Sequence, residues 1–252
     1  MLDLNIKEIR ELFKRAKPEE YEDYINILSK DPRKGVQDIV KSKKKKLEEE
    51  KERLKKLLFY EEKAYKKGYR LIAGVDEAGR GPIAGPVVAA AVILPIGVTI
   101  QGINDSKQLT AVEREELYCE IKRKALYINF DIIDERYIDE NNILNASLKA
   151  MVNAIKGLKV VPDFVLIDGK GNSIFNFPHE CIIKGDCLSM SIAAASIIAK
   201  VERDAIMKEY DKIYPEYGFA KHKGYATKEH LERIKQYGLC PIHRRTFKIK
   251  LY

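Results

Sequence analysis

The apolar positions change rhythm about a quarter of the way along the chain. Over residues 1 to 70 they recur at helical spacing, with Ile6, Ile9, Phe13 and Ala16 on one stripe and Tyr21, Tyr24, Ile25 and Leu28 on a second. Asp31-Pro32 breaks the pattern. The stretch KSKKKKLEEEKERLKKLLFYEEKAYKKG then predicts one highly charged helix, with Leu47, Leu54, Leu58 and Tyr65 at roughly heptad spacing. That repeat is too short for a coiled coil. A solvated helix with one apolar stripe fits it, and so does a basic arm lying on a nucleic-acid backbone.

From residue 71 short apolar runs alternate with helical stretches. LIAGV (71 to 75), VVAAAVIL (87 to 94), YINFDII (127 to 133), FVLID (164 to 168) and ECIIK (180 to 184) read as five strands. Residues 139 to 158 carry Ile143, Leu144, Leu148, Met151, Val152 and Ile155 at helical spacing. Residues 188 to 213 predict a long helix with Ile192, Ala195, Ala199 and Ile206 facing inward, its small residues suited to close packing on a sheet. The expectation is a basic, mostly helical extension over 1–70, followed by an α/β domain over 71–252 with a helical C-terminal portion. No internal repeat is present.

Residues 82 to 104 hold no charge and are long enough to span a bilayer. Pro82, Pro86 and Pro95 interrupt the run, Gly85, Gly97 and Gly102 dilute it, and its apolar part is β-branched, so a buried strand between turns is expected and a membrane span is not. The start, MLDLNIKEIRELF, has charges where an export signal needs an apolar run. Four cysteines with no C-x-x-C pair fit free thiols in a reducing cytosol better than a disulfide scaffold or zinc ribbon, so a cytoplasmic location is expected. The net charge of +8 favours an anionic partner without identifying one. Residues 1 to 70 hold 21 Lys/Arg against 15 Asp/Glu, so most of the surplus lies there.

The chemistry is in acids that interrupt apolar runs. Asp76 and Glu77 follow LIAGV, Asp168 ends FVLI, and Asp186 comes two residues after ECIIK. Acids at the ends of buried strands are costly unless paired, hydrogen-bonded or bound to cations. Four of them with few well-placed bases suggest a divalent cation site, and oxygen-only ligation favours Mg²⁺ or Mn²⁺ over zinc. Each acid also has an ordinary structural reading. Asp76-Glu77 can be a polar turn, Asp168 before Gly169 a turn residue, and Asp186 a helix cap. For Asp76 and Glu77 to share a ligand the strand must end or bulge there, with Gly79 and Gly81 permitting the bend.

Other residues add to the picture. The glycines flanking Arg80 let backbone N–H groups approach a phosphate or sugar closely, although no G-x-x-x-x-G-K-[ST] loop occurs. Lys107 in DSKQLT and Lys170 after Asp168-Gly169 are phosphate contacts or simply solvated lysines. Tyr225 in HKGYAT suits stacking on a sugar or base, or packing at a rim. His222 and His230 lack metalloprotease spacing and read as surface residues or residues backing a site.

The run GVDEAGRGPIAGPVVAAAVIL, then DSKQLT, LIDG, IIKGD with SIAAASIIAKVERD, HKGYATKEHL and GLCPIHRRTF strongly resembles bacterial ribonuclease HII over about residues 70 to 248, in family order. The extension with DPRKGVQDIV looks like that of some Gram-positive members, and not like the sheet-forming N-terminal domain of ribonuclease HIII. The resemblance implies an RNase H-like mixed five-stranded sheet flanked by helices, preceded by a helical extension. It implies endonucleolytic hydrolysis of RNA in RNA–DNA hybrids and cutting 5′ to single ribonucleotides in duplex DNA, leaving a 3′-hydroxyl and a 5′-phosphate. Carried residue by residue, the catalytic and metal-binding set falls on Asp76, Glu77, Asp168 and Asp186, holding two Mg²⁺ or Mn²⁺ ions. The 2′-hydroxyl-contacting loop falls on Gly79, Arg80 and Gly81, and the junction-stacking tyrosine on Tyr225; Lys107 is a further candidate contact. DGKGNSIFNF after Asp168 departs from the pattern and leaves Lys170 without an assigned role. Hybrid and ribonucleotide-containing duplexes are the expected partners, with no obligate protein partner and a monomer expected. Two other readings fit the residues: a metal nuclease of the same fold cutting all-DNA substrates, and a non-catalytic nucleic-acid binder with structural acids.

Overall fold

The computed structural model describes residues 3–16, 20–170 and 175–249. The chain forms two compact units, Met1–Lys56 and Leu57–Tyr252. In the first, α1 (Ile6–Arg15) begins at a capping box in which Asn5 and Glu8 exchange side-chain and backbone hydrogen bonds. Helices α2 (Tyr21–Leu28) and α3 (Lys34–Leu57) follow. Ile9, Phe13, Ile25, Leu28, Val36 and Val40 form the core of this unit. The expected stripes hold except at Ile6, which is 38% exposed. The Lys43 ammonium lies 5.0 Å from the Phe13 ring centre and 4.9 Å from that of Tyr21, so one lysine of the basic run is engaged by aromatic faces.

The charged stretch makes two helices where one is expected. It is interrupted at Leu58, and α4 (Phe59–Lys66) buries Glu61 and Ala64 in the second unit. That unit is built on a five-stranded sheet of β1 (Ile72–Ala78), β2 (Val87–Ile93), β3 (Tyr127–Ile133), β4 (Phe164–Asp168) and β5 (His179–Ile182). The order is β3-β2-β1-β4-β5, with β3, β2 and β1 antiparallel and β1, β4 and β5 parallel. The helices are α5 (Ala111–Lys124), α6 (Glu135–Lys156), α7 (Met190–Ile213), α8 (Phe219–His222) and α9 (Lys228–Tyr237). This is the expected mixed sheet flanked by helices. The charge-free run becomes buried β2, and among the described residues no helix is long and apolar enough to cross a membrane.

Strand alternation sorts the core into two faces. Ala73, Val75, Val165 and Ile167 pack with Ala150, Met151 and Ala154 of α6. Ile72, Phe164 and Leu166 pack with Ile192 of α7 and Ala64 of α4. Gly74 decides how close α7 comes: a Cβ there would lie 2.1 Å from the Ser191 carbonyl carbon, so helix backbone rests on strand backbone. Helix α7 is buried on every side from Met190 to Ala199. Beyond that its inner face runs through Arg203 and Met207, and Ile206, expected inside, is half-buried. Helix α6 begins at Glu135, earlier than expected, and kinks at Asn142, where φ is +65°.

Candidate active site at the ends of strands β1 and β4

The pairing of β1 with β4 runs from Ile72↔Phe164 to Val75↔Ile167 and stops there. Asp76 and Asp168 are therefore the next residues on two adjacent parallel strands, at the same level of the sheet. Strand β1 does not end at Asp76-Glu77 as expected. Its ladder with β2 continues unbroken through Asp76↔Ala90, Glu77↔Ala89 and Ala78↔Val88. The bend comes at Gly79, whose φ is +99° and where a Cβ would lie 2.1 Å from Arg203 Nε.

Asp186 stands on a 3₁₀ turn, Gly185–Cys187, just before α7, and the cap of that helix is Ser189, not Asp186. The turn is tied to β4 by the Gly185 N–H, which donates to Asp168 Oδ1 at 2.6 Å. Asp76 is 6% exposed and Asp186 8%. Asp76 accepts the Glu77 N–H at 2.7 Å, and Ser196 of α7, whose hydroxyl is 3.0 Å from that of Ser106, is near enough to draw its pKa down.

These acids feel one another. Burial, then the charges of Glu77 and Asp168, hold the Asp76 carboxyl well above the ordinary range. Burial also raises Glu77, against the pull of Arg80, whose Nη1 is 3.2 Å from Glu77 Oε1. Asp168 is raised by burial and by Asp186, against the Gly185 N–H bond. Burial acts to lower Lys107, but Asp105, Asp186, Asp76 and Asp168 outweigh it and hold the ammonium above its usual value. Asp76, Glu77, Asp168 and Asp186 are linked pairwise by these charges, and with Arg80 and Lys107 as the facing cations they are oxygen donors short of positive charge, the kind a hard divalent cation fits; the unbroken strand at Asp76-Glu77 does not meet the condition for those two to share one ion.

Asp105, two residues before Lys107, carries no signal in the sequence, since it ends no apolar run. Its carboxylate, that of Asp186 and the Cys187 thiol lie within 4.8 Å of one another. Burial and Asp186 push that thiol up, which keeps it protonated and unsuited to a hard cation. Tyr225 is 44% exposed, and its Cε1 is 3.6 Å from where a Cβ on Gly81 would sit. The structure thus brings the GRG loop and the tyrosine together. Lys170 is exposed, and residues 171–174 of the DGKGNSIFNF loop lie outside the described residues.

Behind the loop lie two histidines for which the sequence leaves two readings, at the surface or backing a site, and the second holds. His222 and His230 are not surface residues; they stack with ring centres 4.2 Å apart and are 7% and 0% exposed. His222 accepts the Gly224 N–H at Nδ1 and pairs through Nε2 with the Tyr217 carbonyl. His230 meets the Tyr225 carbonyl through Nδ1 at 2.9 Å and His243 through Nε2 at 3.0 Å. His243 Nδ1 accepts the Cys240 N–H, so the chain closes with three neutral rings. Burial lowers all three, His230 to about 4. The rings back the Tyr225 segment from inside the protein and leave no lone pair for a metal.

Comparison with known proteins agrees with this arrangement. The family model for Ribonuclease HII matches residues 73–250, and that for the Ribonuclease HII N-terminal domain matches residues 5–65. Ribonuclease HII of Acetivibrio thermocellus is 58% identical over 211 residues, covering 83% of this chain and 82% of that protein. The Clostridioides difficile protein is 48% identical over 250 residues, covering 98% of each. Among solved structures, ribonuclease H2 from Pyrococcus horikoshii matches with a TM-score of 0.60 and 28% identity over 71% of this chain and 94% of that one. With both parts of the sequence matched in order, and acids gathered at the strand ends of a ribonuclease H-type sheet, the chain belongs to the ribonuclease HII family and is a hydrolase of the ribonuclease H type.

Proposed function

We propose that the chain cuts RNA in RNA–DNA hybrids and cuts 5′ to single ribonucleotides in duplex DNA, leaving a 3′-hydroxyl and a 5′-phosphate. Its cellular role on this reading is removal of misincorporated ribonucleotides and RNA primers, and its place is the cytosol, in keeping with four free cysteines. The observation that carries the proposal is the nearness of Tyr225 to Gly81, its Cε1 3.6 Å from where a Cβ would sit, beside the acids on β1 and β4: a backbone able to touch a ribose adjoins a ring able to stack on its neighbour.

Asp76, Glu77, Asp168 and Asp186 would hold two divalent ions, Mg²⁺ or Mn²⁺, which when bound activate the attacking water and stabilise the departing 3′-oxygen. The protein's own groups position and select. The Glu77 amide holds the Asp76 carboxylate, and the Gly185 amide holds that of Asp168, so these acids are oriented before substrate arrives. Arg80 and Lys107 bring positive charge to the approaching backbone phosphates. Selection rests on the 2′-hydroxyl, the one group that separates ribose from deoxyribose, met by the exposed backbone of Gly79 to Gly81. Tyr225 stacks on the adjoining deoxyribose or base.

The test uses a labelled DNA duplex with one ribonucleotide, an all-DNA duplex and all-DNA branched substrates, in Mg²⁺, Mn²⁺ or chelator, with wild type and Asp76→Asn. The expected result is a metal-dependent cut 5′ to the ribonucleotide with 3′-hydroxyl ends, absent in the variant. Cleavage of branched DNA alone, or a cyclic phosphate end, overturns the proposal.

A further inference from the structure

Two arginines behind the GRG loop are buried without a counter-ion. Arg244 is 0% exposed and Arg203 1%, and among the described residues neither has a carboxylate within 4.0 Å. A buried cation is costly, and what offsets that cost here is a set of backbone carbonyls. Arg244 donates through Nη2 to Gly79 at 2.6 Å and Pro86 at 3.1 Å, through Nη1 to Arg80 at 3.1 Å, and through Nε to Gly85 at 2.9 Å. Arg203 donates to Pro86, Ala84 and Lys223. The first guanidinium grips the loop, and the second joins it to the segment that carries Tyr225.

Peptide planarity turns this grip into a statement about the outer surface. Among the described residues no peptide bond is cis, so each C=O points opposite to the N–H of the next residue. With the Gly79 and Arg80 carbonyls drawn in to Arg244, the N–H groups of Arg80 and Gly81 face away from it. Both residues are exposed, and among the described residues neither N–H has a hydrogen-bond partner. We propose that Arg244 is a positioning residue for ribose selection: by holding two successive carbonyls inward it presents two successive amide donors to the sugar-phosphate of the ribonucleotide. The inference rests on the ribonucleotide-cleaving reading above and names the group that makes the loop competent for it. Lysine has one nitrogen and cannot span four carbonyls, so Arg244→Lys should release the loop.

The experiment measures KM and kcat on the single-ribonucleotide duplex and the inhibition constant of the all-DNA duplex as competitor, for wild type and Arg244→Lys. The ratio of the inhibition constant to KM should fall about tenfold in the variant, the effect of losing a charge-assisted hydrogen bond. Mn²⁺ binding by calorimetry should stay unchanged, since Arg244 touches none of the four acids. Amide hydrogen exchange on wild type gives a second reading should the variant not fold. The Arg80 and Gly81 amides should exchange freely alone, be protected by the ribonucleotide duplex and be less protected by all-DNA. An unchanged ratio in a folded variant, or equal protection by both duplexes, overturns the inference and leaves the cleavage reading standing. A wild type that does not cut the ribonucleotide duplex overturns the cleavage reading, and this inference with it.

Discussion

Glu61 Oε1 accepts the backbone N–H of Ser191 at 2.9 Å and its hydroxyl at 2.6 Å, with the Ser189 hydroxyl a third donor at 2.6 Å. A carboxylate from α4 thus satisfies the first turn of α7, three to five residues after Asp186. Its Oε2 is buried with no hydrogen-bond partner among the described residues, and burial raises the Glu61 pKa despite those three bonds.

Glu61→Ala should cost about 2–4 kcal/mol in urea unfolding, because it strips three buried donors at once. Glu61→Gln keeps the acceptor and should cost about 1 kcal/mol or less at pH 8. The pH dependence separates the two forms of the wild type. A carboxyl with a raised folded pKa stabilises fully below its unfolded value of 4.5 and loses that contribution as pH rises through the folded value. The stability difference between wild type and Glu61→Gln should therefore move toward the variant from pH 4.5 upward. A flat difference would show that Glu61 is not strained when charged.

Asp76→Asn should lower kcat by about 10²–10³-fold or more, the scale of losing a central electrostatic group. It should not weaken the fold in chelator, since it removes a buried charge repelled by Glu77 and Asp168. Thermal melts with and without Mn²⁺ check this: the metal should raise Tm of the wild type and move the variant little.

Gly79 and Gly81 should fail differently. A side chain at Gly79 meets Arg203 and an unfavourable φ, so Gly79→Ala should destabilise the protein. At Gly81 a Cβ meets only ordinary contact with Tyr225, so Gly81→Val should fold and lose activity or ribose selectivity. Tyr225→Ala should reduce activity by about tenfold through lost stacking, less than Asp76→Asn. A fully active, selective Gly81→Val would remove the loop from the site.

Acid should loosen the domain around the three histidines. A histidine buried as the neutral ring, its folded pKa below 6.5, adds stability that is complete above pH 6.5. That stability is lost as pH falls toward the folded value, about 4 for His230. Tm should drop between pH 6.5 and 4, and His230→Gln should flatten that slope while lowering Tm at pH 8.

Much of this was legible in the residues. The five strands announce themselves as β-branched or alanine-rich runs, and the site acids stand out because each ends or follows such a run. What stayed hidden depends on partners far away in the chain. Arg203 and Arg244, in VERD and HRRTF, carry no local sign that carbonyls from residues 79 to 86 will enclose them. His222 and His230 look peripheral in a stretch rich in lysine and glutamate, and only the fold stacks their rings. The break at Leu58 is invisible in a continuous run of good helix formers.

Gly74 lets the backbone of α7 lie directly on the backbone of β1. The spacing of Asp76 on that strand from Ser196 and the Asp186 turn on that helix is therefore fixed by main chain against main chain, without intervening side chains whose volumes would have to be kept. Exchanges among the surrounding valines, isoleucines and alanines would leave that spacing to the main chain, so the placing of the carboxylates is insulated from volume changes in the core. The exposure to risk is concentrated instead at one position: a single methyl group at residue 74, which carries no chemistry, would pry helix from strand and take the site apart.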